Sequence, residues 1–230
     1  MNKPLVIGHR GAMGYETENT LASVRKALEL NVDGIEVDVF KCKSGEIVAF
    51  HDKDLDRLTD GEGLIEDKTF DELQALTVNG GHQIPLLKDI LNLVNGQCLI
   101  NIELKGTDTA NNVSKIVNMY LEFDMFAEED IIISSFNWEE LESFYKKNKN
   151  ISIGVLTDVD QDPLEALQLA KKLKAKTIHA EGTTLDEGII KNFRKRGLKV
   201  IAWFDKEPKS YKNILELKVH GIITDRPDKV

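Results

Sequence analysis

The chain has 230 residues, of which 41% are hydrophobic and 30% charged, the make-up of a folded globular chain large enough for one sizeable core, which excludes a disordered one. A formal net charge of −9 argues against a surface built to neutralise nucleic-acid phosphates, so no nucleic-acid partner is expected and an anionic ligand would need a local basic site. Cys42 and Cys98 are the only cysteines, too few for a disulfide framework. With no signal-like N-terminus and no apolar run of about 18 residues, the expectation is a cytoplasmic protein without a membrane span.

In chain order, the first predicted strand, Leu5–Gly8, runs into His9-Arg10-Gly11. A loop carrying Glu18, Asn19 and Thr20 then leads to a helix with Leu21, Val24 and Leu28 on one face. A histidine and an arginine at a strand's end suit an anion and a proton transfer. The second strand, Gly34–Val39, reads "GIEVDV": Ile35, Val37 and Val39 share one face, and Glu36 and Asp38 take the other. Ile47–His51 is a further strand-like run beyond Ser44-Gly45. A two-residue hairpin loop there predicts Asp38 opposite His51, gathering Glu36, Asp38 and His51 on one face of the ribbon. Residues from about 52 to 83 are polar and turn-rich and read as a small insertion before the pattern resumes at "IPLLKDIL".

Further strands are predicted at Leu99–Leu104, Ile131–Ser134, Ile151–Leu156, Thr177–Glu181, Val200–Phe204 and Gly221–Thr224. Helical periodicity lies between them, at Val113, Ile116, Val117 and Tyr120 and at Leu185, Ile189, Ile190 and Phe193. The repeat predicts an α/β fold, a (β/α)₈ TIM barrel with a small insertion after the second strand. An open doubly wound sheet shares the periodicity and stands as the runner-up. No linker divides the chain, so residues 1–230 are expected to form a single domain.

The strand ends collect His9, Arg10, Glu36, Asp38 and His51, and "INIELK" adds Glu103 and Lys105. Three carboxylates at one barrel mouth repel one another unless a cation sits between them. Hard oxygen donors without a thiolate favour one divalent cation, Mg²⁺ or Ca²⁺, with the choice between them open. Such a cation with an arginine, a lysine and two histidines describes cleavage of a phosphate ester: the positive groups stabilise the phosphoryl oxygens while the histidines move protons at opposite ends of the displacement. A phosphodiester fits, because its alkoxide leaving group needs a proton. Asp52 either orients an imidazole or anchors the hairpin. Glu181 is a minor candidate to reach the site, and Asp225-Arg226-Pro227 is expected to fix the closing loop. His82, His179 and His220 are assigned no role, and the Lys-rich stretches "YKKNKN" and "KKLKAK" read as solvated helix faces.

The ordered combination of His-Arg-Gly, Glu-x-Asp, His-Asp and Glu-x-Lys resembles the glycerophosphodiester phosphodiesterases, barrel enzymes related to phosphatidylinositol-specific phospholipases C. The likeness runs almost end to end, through "ENTLASVRKALELNVDGIEVDV", "SGEIVAFHDKDLDRLTDGEG", "GLKVIAWF" and "HGIITDRPD". It implies hydrolysis of small glycerophosphodiesters, such as glycerophosphocholine or glycerophosphoethanolamine, to glycerol 3-phosphate and an alcohol. It also implies His9 and His51 as the acid/base pair, Glu36, Asp38 and Glu103 as metal ligands, and Arg10 and Lys105 as phosphate contacts. Glu18 would border the site, near glycerol hydroxyls or the metal's surroundings, and Trp203 would line the pocket. Attack by the glycerol 2-hydroxyl through a cyclic phosphate and direct attack by water are both open. The chain departs from the family at Thr17, where proline is usual, at Leu86 in "IPLL", and at Phe204-Asp205-Lys206 after the tryptophan; these bear on the alcohol pocket and spare the hydrolytic residues. Two competing expectations are a barrel that only binds phosphate esters and an enzyme acting on membrane lipid or lysolipid. A homo-oligomer is compatible with the sequence.

Overall fold

Eight parallel strands close on themselves in the computed structural model, which describes residues 3–158, 161 and 163–230. In chain order the elements are β1 (Leu5–Gly8), α1 (Leu21–Glu29), β2 (Gly34–Lys41), β3 (Ile47–Ala49), α2 (Phe70–Gln74), α3 (Leu87–Val94), β4 (Leu99–Leu104) and α4 (Ala110–Glu122). They continue with β5 (Ile131–Ser135), α5 (Trp138–Lys147), β6 (Ser152–Thr157), α6 (Pro163–Lys172), β7 (Thr177–Glu181), α7 (Glu187–Lys195), β8 (Lys199–Trp203), α8 (Lys212–Glu216) and β9 (Gly221–Thr224). Around the barrel the order is β1-β9-β8-β7-β6-β5-β4-β2, and pairing of β1 with β2 closes it. That closure makes the fold a (β/α)₈ barrel and not an open sheet.

The alternation of apolar residues explains both walls. Outward-facing Ile35, Val37, Ile100 and Ile102 pack against buried faces of the surrounding helices, such as Val24 and Ala27 of α1 and Ile90 and Leu91 of α3. Each helix buries one stripe because its apolar residues recur at the helical period. Inward-facing Ile7, Ile132, Ile201 and Ile223 form a separate cluster inside the barrel. Polar inward positions include Thr177 and His179 within the barrel, and the carboxylates lie toward its C-terminal mouth.

The hairpin register differs from expectation. Val39 pairs with Ala49, Phe40 with Val48 and Lys41 with Ile47, one position short of the register that would oppose Asp38 and His51. The loop holds three residues, not two: the Cys42 N–H donates to the Glu46 carbonyl at 2.9 Å and the Gly45 N–H to the Cys42 carbonyl at 2.9 Å. Gly45 closes it at φ 102°, a left-handed conformation that glycine adopts without a steric penalty. The Asp38 backbone carbonyl therefore accepts the Phe50 N–H at 3.1 Å. His51 reaches the mouth because the chain leaves the ladder after Ala49.

Beyond the hairpin, the segment of about 52–83 builds its own small core. Leu55, Ile65 and Leu73 pack with Phe40, Val48 and Phe50 of the hairpin. Phe40 is almost fully buried there, so it ties β2 to the segment that carries His51 and its neighbours. Phe40→Ala is expected to lower the unfolding free energy by about 3–5 kcal/mol, measured by urea denaturation. A loss below about 1 kcal/mol would mean that the segment packs without that anchor.

Candidate active site

β2 and β4 present the acidic residues. Their register sets Asp38 beside Glu103 and Glu36 beside Asn101, and because strand side chains alternate, all four point into the barrel. Ligand oxygens of Glu36, Asp38 and Glu103 lie within 4.8 Å of one another, and all three residues are buried. Asn19 braces one of them: its amide donates to Asp38 Oδ2 at 2.9 Å and its Oδ1 accepts the Asp38 N–H at 3.1 Å. Glu36 Oε2 accepts the Arg10 N–H at 2.9 Å, whereas its Oε1 is buried with no partner among the described residues.

Burial, then the charges of Asp38 and Glu103, push the Glu36 carboxyl well above the usual carboxylate range. Burial and Asp38 likewise raise Glu103. Although burial acts the other way, Arg10, Lys105 and His51 hold Asp38 below its ordinary value. Two crowded carboxyls that resist ionisation, an orphaned oxygen and an all-oxygen donor set fit a divalent cation. Among the described residues this is the one group of histidine, cysteine, aspartate or glutamate side chains with metal-ligand spacing.

Positive charge stands beside the triad. Arg10 reaches Glu18 Oε1 at 2.6 Å and Asp38 Oδ2 at 3.2 Å. Lys105 Nζ lies 3.2 Å from Glu103 Oε1, 3.9 Å from Asp38 Oδ1 and 3.2 Å from His51 Nε2. An ammonium only donates, so His51 Nε2 accepts and the imidazole proton sits on Nδ1, donated to Asp52 Oδ1 at 2.6 Å. Burial, followed by Arg10 and Lys105, lowers the His51 pKa against the pull of Asp38 and Asp52. His9 is held the same way, with Nδ1 2.7 Å from Asp225 Oδ1. Each imidazole thus has one nitrogen fixed by a carboxylate.

One cavity of about 330 Å³ is lined by every predicted site residue except Glu18. Its opposite wall is Phe136, Leu156, Trp203 and Phe204, with Asp158 and Asp205; Phe136 and Trp203 meet edge to face at 5.4 Å. Glu18 sits behind Arg10, both oxygens taken by Arg57 at 2.8 and 2.9 Å. Glu181 caps a short helical turn through the Thr183 N–H at 2.7 Å, and it is not part of the cavity wall. Thr17 does more than fill the place of a proline: its hydroxyl donates to the Asn79 carbonyl at 2.9 Å, tying the first loop to the insertion. His179 is buried inside the barrel against Thr177, at 3.0 Å, and burial depresses it to about 3, so it stays neutral.

Sequence reasoning missed Arg57 and Asn101, and it missed one of the two roles of Asp225. Arg57 joins Glu18 to Asp52. Asp225 not only fixes the closing loop, accepting the Gly14 N–H at 2.9 Å, but also orients His9. Asn101 lines the cavity floor with both amide atoms buried and unpartnered among the described residues; its place two residues before Glu103 on the same strand face was the available signal.

The glycerophosphoryl diester phosphodiesterase family matches residues 9–229. A glycerophosphodiester phosphodiesterase of Caldanaerobacter subterraneus is 32% identical over 98% of this chain and 96% of its own length. An Oleispira antarctica phosphodiesterase solved with the product sn-glycerol-3-phosphate is 26% identical and superposes with a TM-score of 0.87 over 98% of this chain and 94% of that one. The Thermotoga maritima glycerophosphodiester phosphodiesterase is 29% identical, with a TM-score of 0.83 over 99% and 97%. Among the described residues no helix is long and apolar enough to cross a membrane. With the match beginning at His9 itself and spanning every strand end that builds the cavity, the chain belongs to the glycerophosphodiester phosphodiesterase family and is an enzyme of that class.

Proposed function

We propose that residues 1–230 act as one catalytic unit that hydrolyses small glycerophosphodiesters, glycerophosphocholine and glycerophosphoethanolamine among them, to glycerol 3-phosphate and an alcohol in the cytoplasm. The carrying observation is that His9 and His51 each have Nδ1 engaged by a carboxylate, which leaves Nε2 of His9, and Nε2 of His51 with Lys105 as its partner, to serve a substrate in the cavity that holds the acidic triad. Glu36, Asp38 and Glu103 would hold one divalent cation, Mg²⁺ or Ca²⁺. Bound there, it supplies Lewis-acid stabilisation of the phosphoryl oxygens.

His51 is the base. Its Nε2 lone pair takes the proton of the attacking hydroxyl, whether the glycerol 2-hydroxyl or water, once Lys105 turns from it to the phosphate. Lys105 and Arg10 bind the non-bridging oxygens, where negative charge concentrates as the displacement proceeds. His9, when protonated, delivers its Nε2 proton to the departing alkoxide, and the proton passes out with the alcohol. Trp203, Phe136 and Phe204 give the carbon part of the substrate an apolar wall. Glu18, with both oxygens occupied, serves by holding Arg10.

The test is glycerol 3-phosphate release from glycerophosphocholine and glycerophosphoethanolamine, with Mg²⁺, Ca²⁺ or EDTA. Cation-dependent release that EDTA stops is the expected result. If neither diester is turned over with any cation, the assignment fails, and lysophospholipids and simple binding become the questions.

A further inference from the structure

A ring of charged groups runs out of the cavity and back into it. From Asp38 it passes to Arg10 at 3.2 Å and to Glu18 at 2.6 Å. Arg57 takes Glu18 with Nη1 and Nη2 at 2.9 and 2.8 Å and holds Asp52 with Nε at 2.5 Å. Asp52 accepts from His51 at 2.6 Å, and Lys105 closes the ring between His51 at 3.2 Å and Asp38 at 3.9 Å. Glu18, Arg57 and Asp52 lie outside the cavity wall. They form the one segment of the ring that lines no part of the cavity, and Arg57 is its centre.

We infer that Arg57 is a positioning residue for the reaction: its guanidinium spans Glu18 and Asp52, and so fixes the phosphate-binding Arg10 and the imidazole of His51 relative to each other. The inference rests on the proposed roles of those two residues. Only a planar fork serves, because it meets one carboxylate with two parallel N–H bonds and a second with Nε. Lysine keeps the charge without that geometry. The side chain is about half exposed, at 48%, whereas Glu18 is 7% exposed. Bulk screening therefore weakens Arg57 as a source of stability, while its geometric hold on the buried Glu18 persists.

The experiment compares Arg57→Met and Arg57→Lys with the wild type, and adds Glu18→Gln, Asp52→Asn and their double variant. Both Arg57 variants should lose about 10–100-fold in kcat/KM with an unchanged thermal midpoint. Glu18 and Asp52 should also be coupled: the double variant departs from the product of the single effects by threefold or more, and the departure vanishes when Arg57 is methionine. Simple multiplication in the Arg57 protein would overturn the inference. So would an Arg57→Lys enzyme within twofold of wild type. A readout without substrate covers an unstable or inactive preparation: the ring nitrogens of His51, followed by NMR, should show a fixed Nδ1–H tautomer in the wild type that becomes averaged in Arg57→Lys. An unchanged His51 spectrum there sinks the inference. A wild type that hydrolyses no glycerophosphodiester sinks the functional reading instead and leaves this spectrum as the deciding measurement.

Discussion

His51→Ala is expected to slow glycerol 3-phosphate release by about 10²–10⁴-fold in kcat, the range for loss of a positioned general base, with KM little changed. Burial and the ammonium of Lys105 next to Nε2 favour the neutral ring, and the carboxylate of Asp52 at Nδ1 keeps it correctly turned, an arrangement that fits the proposed base. His9→Ala should cost as much on glycerophosphocholine. The two variants part company on a diester whose alcohol is an activated phenol, because such an alcohol leaves without a proton. His9→Ala should recover most of its rate on that substrate, and His51→Ala should not. Rescue of His51→Ala with no rescue of His9→Ala would reverse the two roles.

Cation binding should show itself in stability as well as in rate. At a hundredfold excess over its dissociation constant, a ligand that binds only the folded state adds about 2.7 kcal/mol. In a chain of this size that is a rise of about 5–10 °C in thermal midpoint. Glu36→Gln should abolish the rise with Mg²⁺ or Ca²⁺, since one of three clustered carboxylates is gone. The same variant should be more stable than wild type when both are treated with EDTA, because a buried carboxyl raised by its neighbours must take up a proton or bear their repulsion when the chain folds, and an amide does neither. An equal cation-induced rise in wild type and Glu36→Gln would remove Glu36 from the proposed ligands.

The barrel was legible because its strands and helices carry their periodicity openly; "GIEVDV" alone separates the helix-facing valines and isoleucine from the carboxylates. Boundaries moved little: the strand expected at Val200–Phe204 is Lys199–Trp203. The hairpin was misjudged because Ser44-Gly45 allows both a two- and a three-residue loop, and only the Cys42–Glu46 hydrogen bond decides between them. His51 still arrives beside Lys105, carried by the chain's exit from the ladder and not by cross-strand pairing. The link that Arg57 makes between Glu18 and Asp52 was hidden for a different reason. All three lie in irregular backbone, where no repeat says which way a side chain points, and Arg57 meets Glu18 across the whole of α1, β2 and β3. Asp225 is distant from His9 in sequence, and only barrel closure makes them neighbours.

That closure also sets when the enzyme can come into being. His9 meets a carboxylate 216 positions further along, and β1 lies between β2 and β9, the barrel's latest strand in chain order. A nascent chain stalled before β9 keeps an unpaired β1 edge, open to misassociation with other strands. It also lacks Asp225, the carboxylate that holds His9, so the proposed role of His9 requires completion of the ring. Folding of this kind is dominated by contacts between residues far apart in sequence and is correspondingly slow. Chains released before β9 should therefore be both inactive and prone to aggregate.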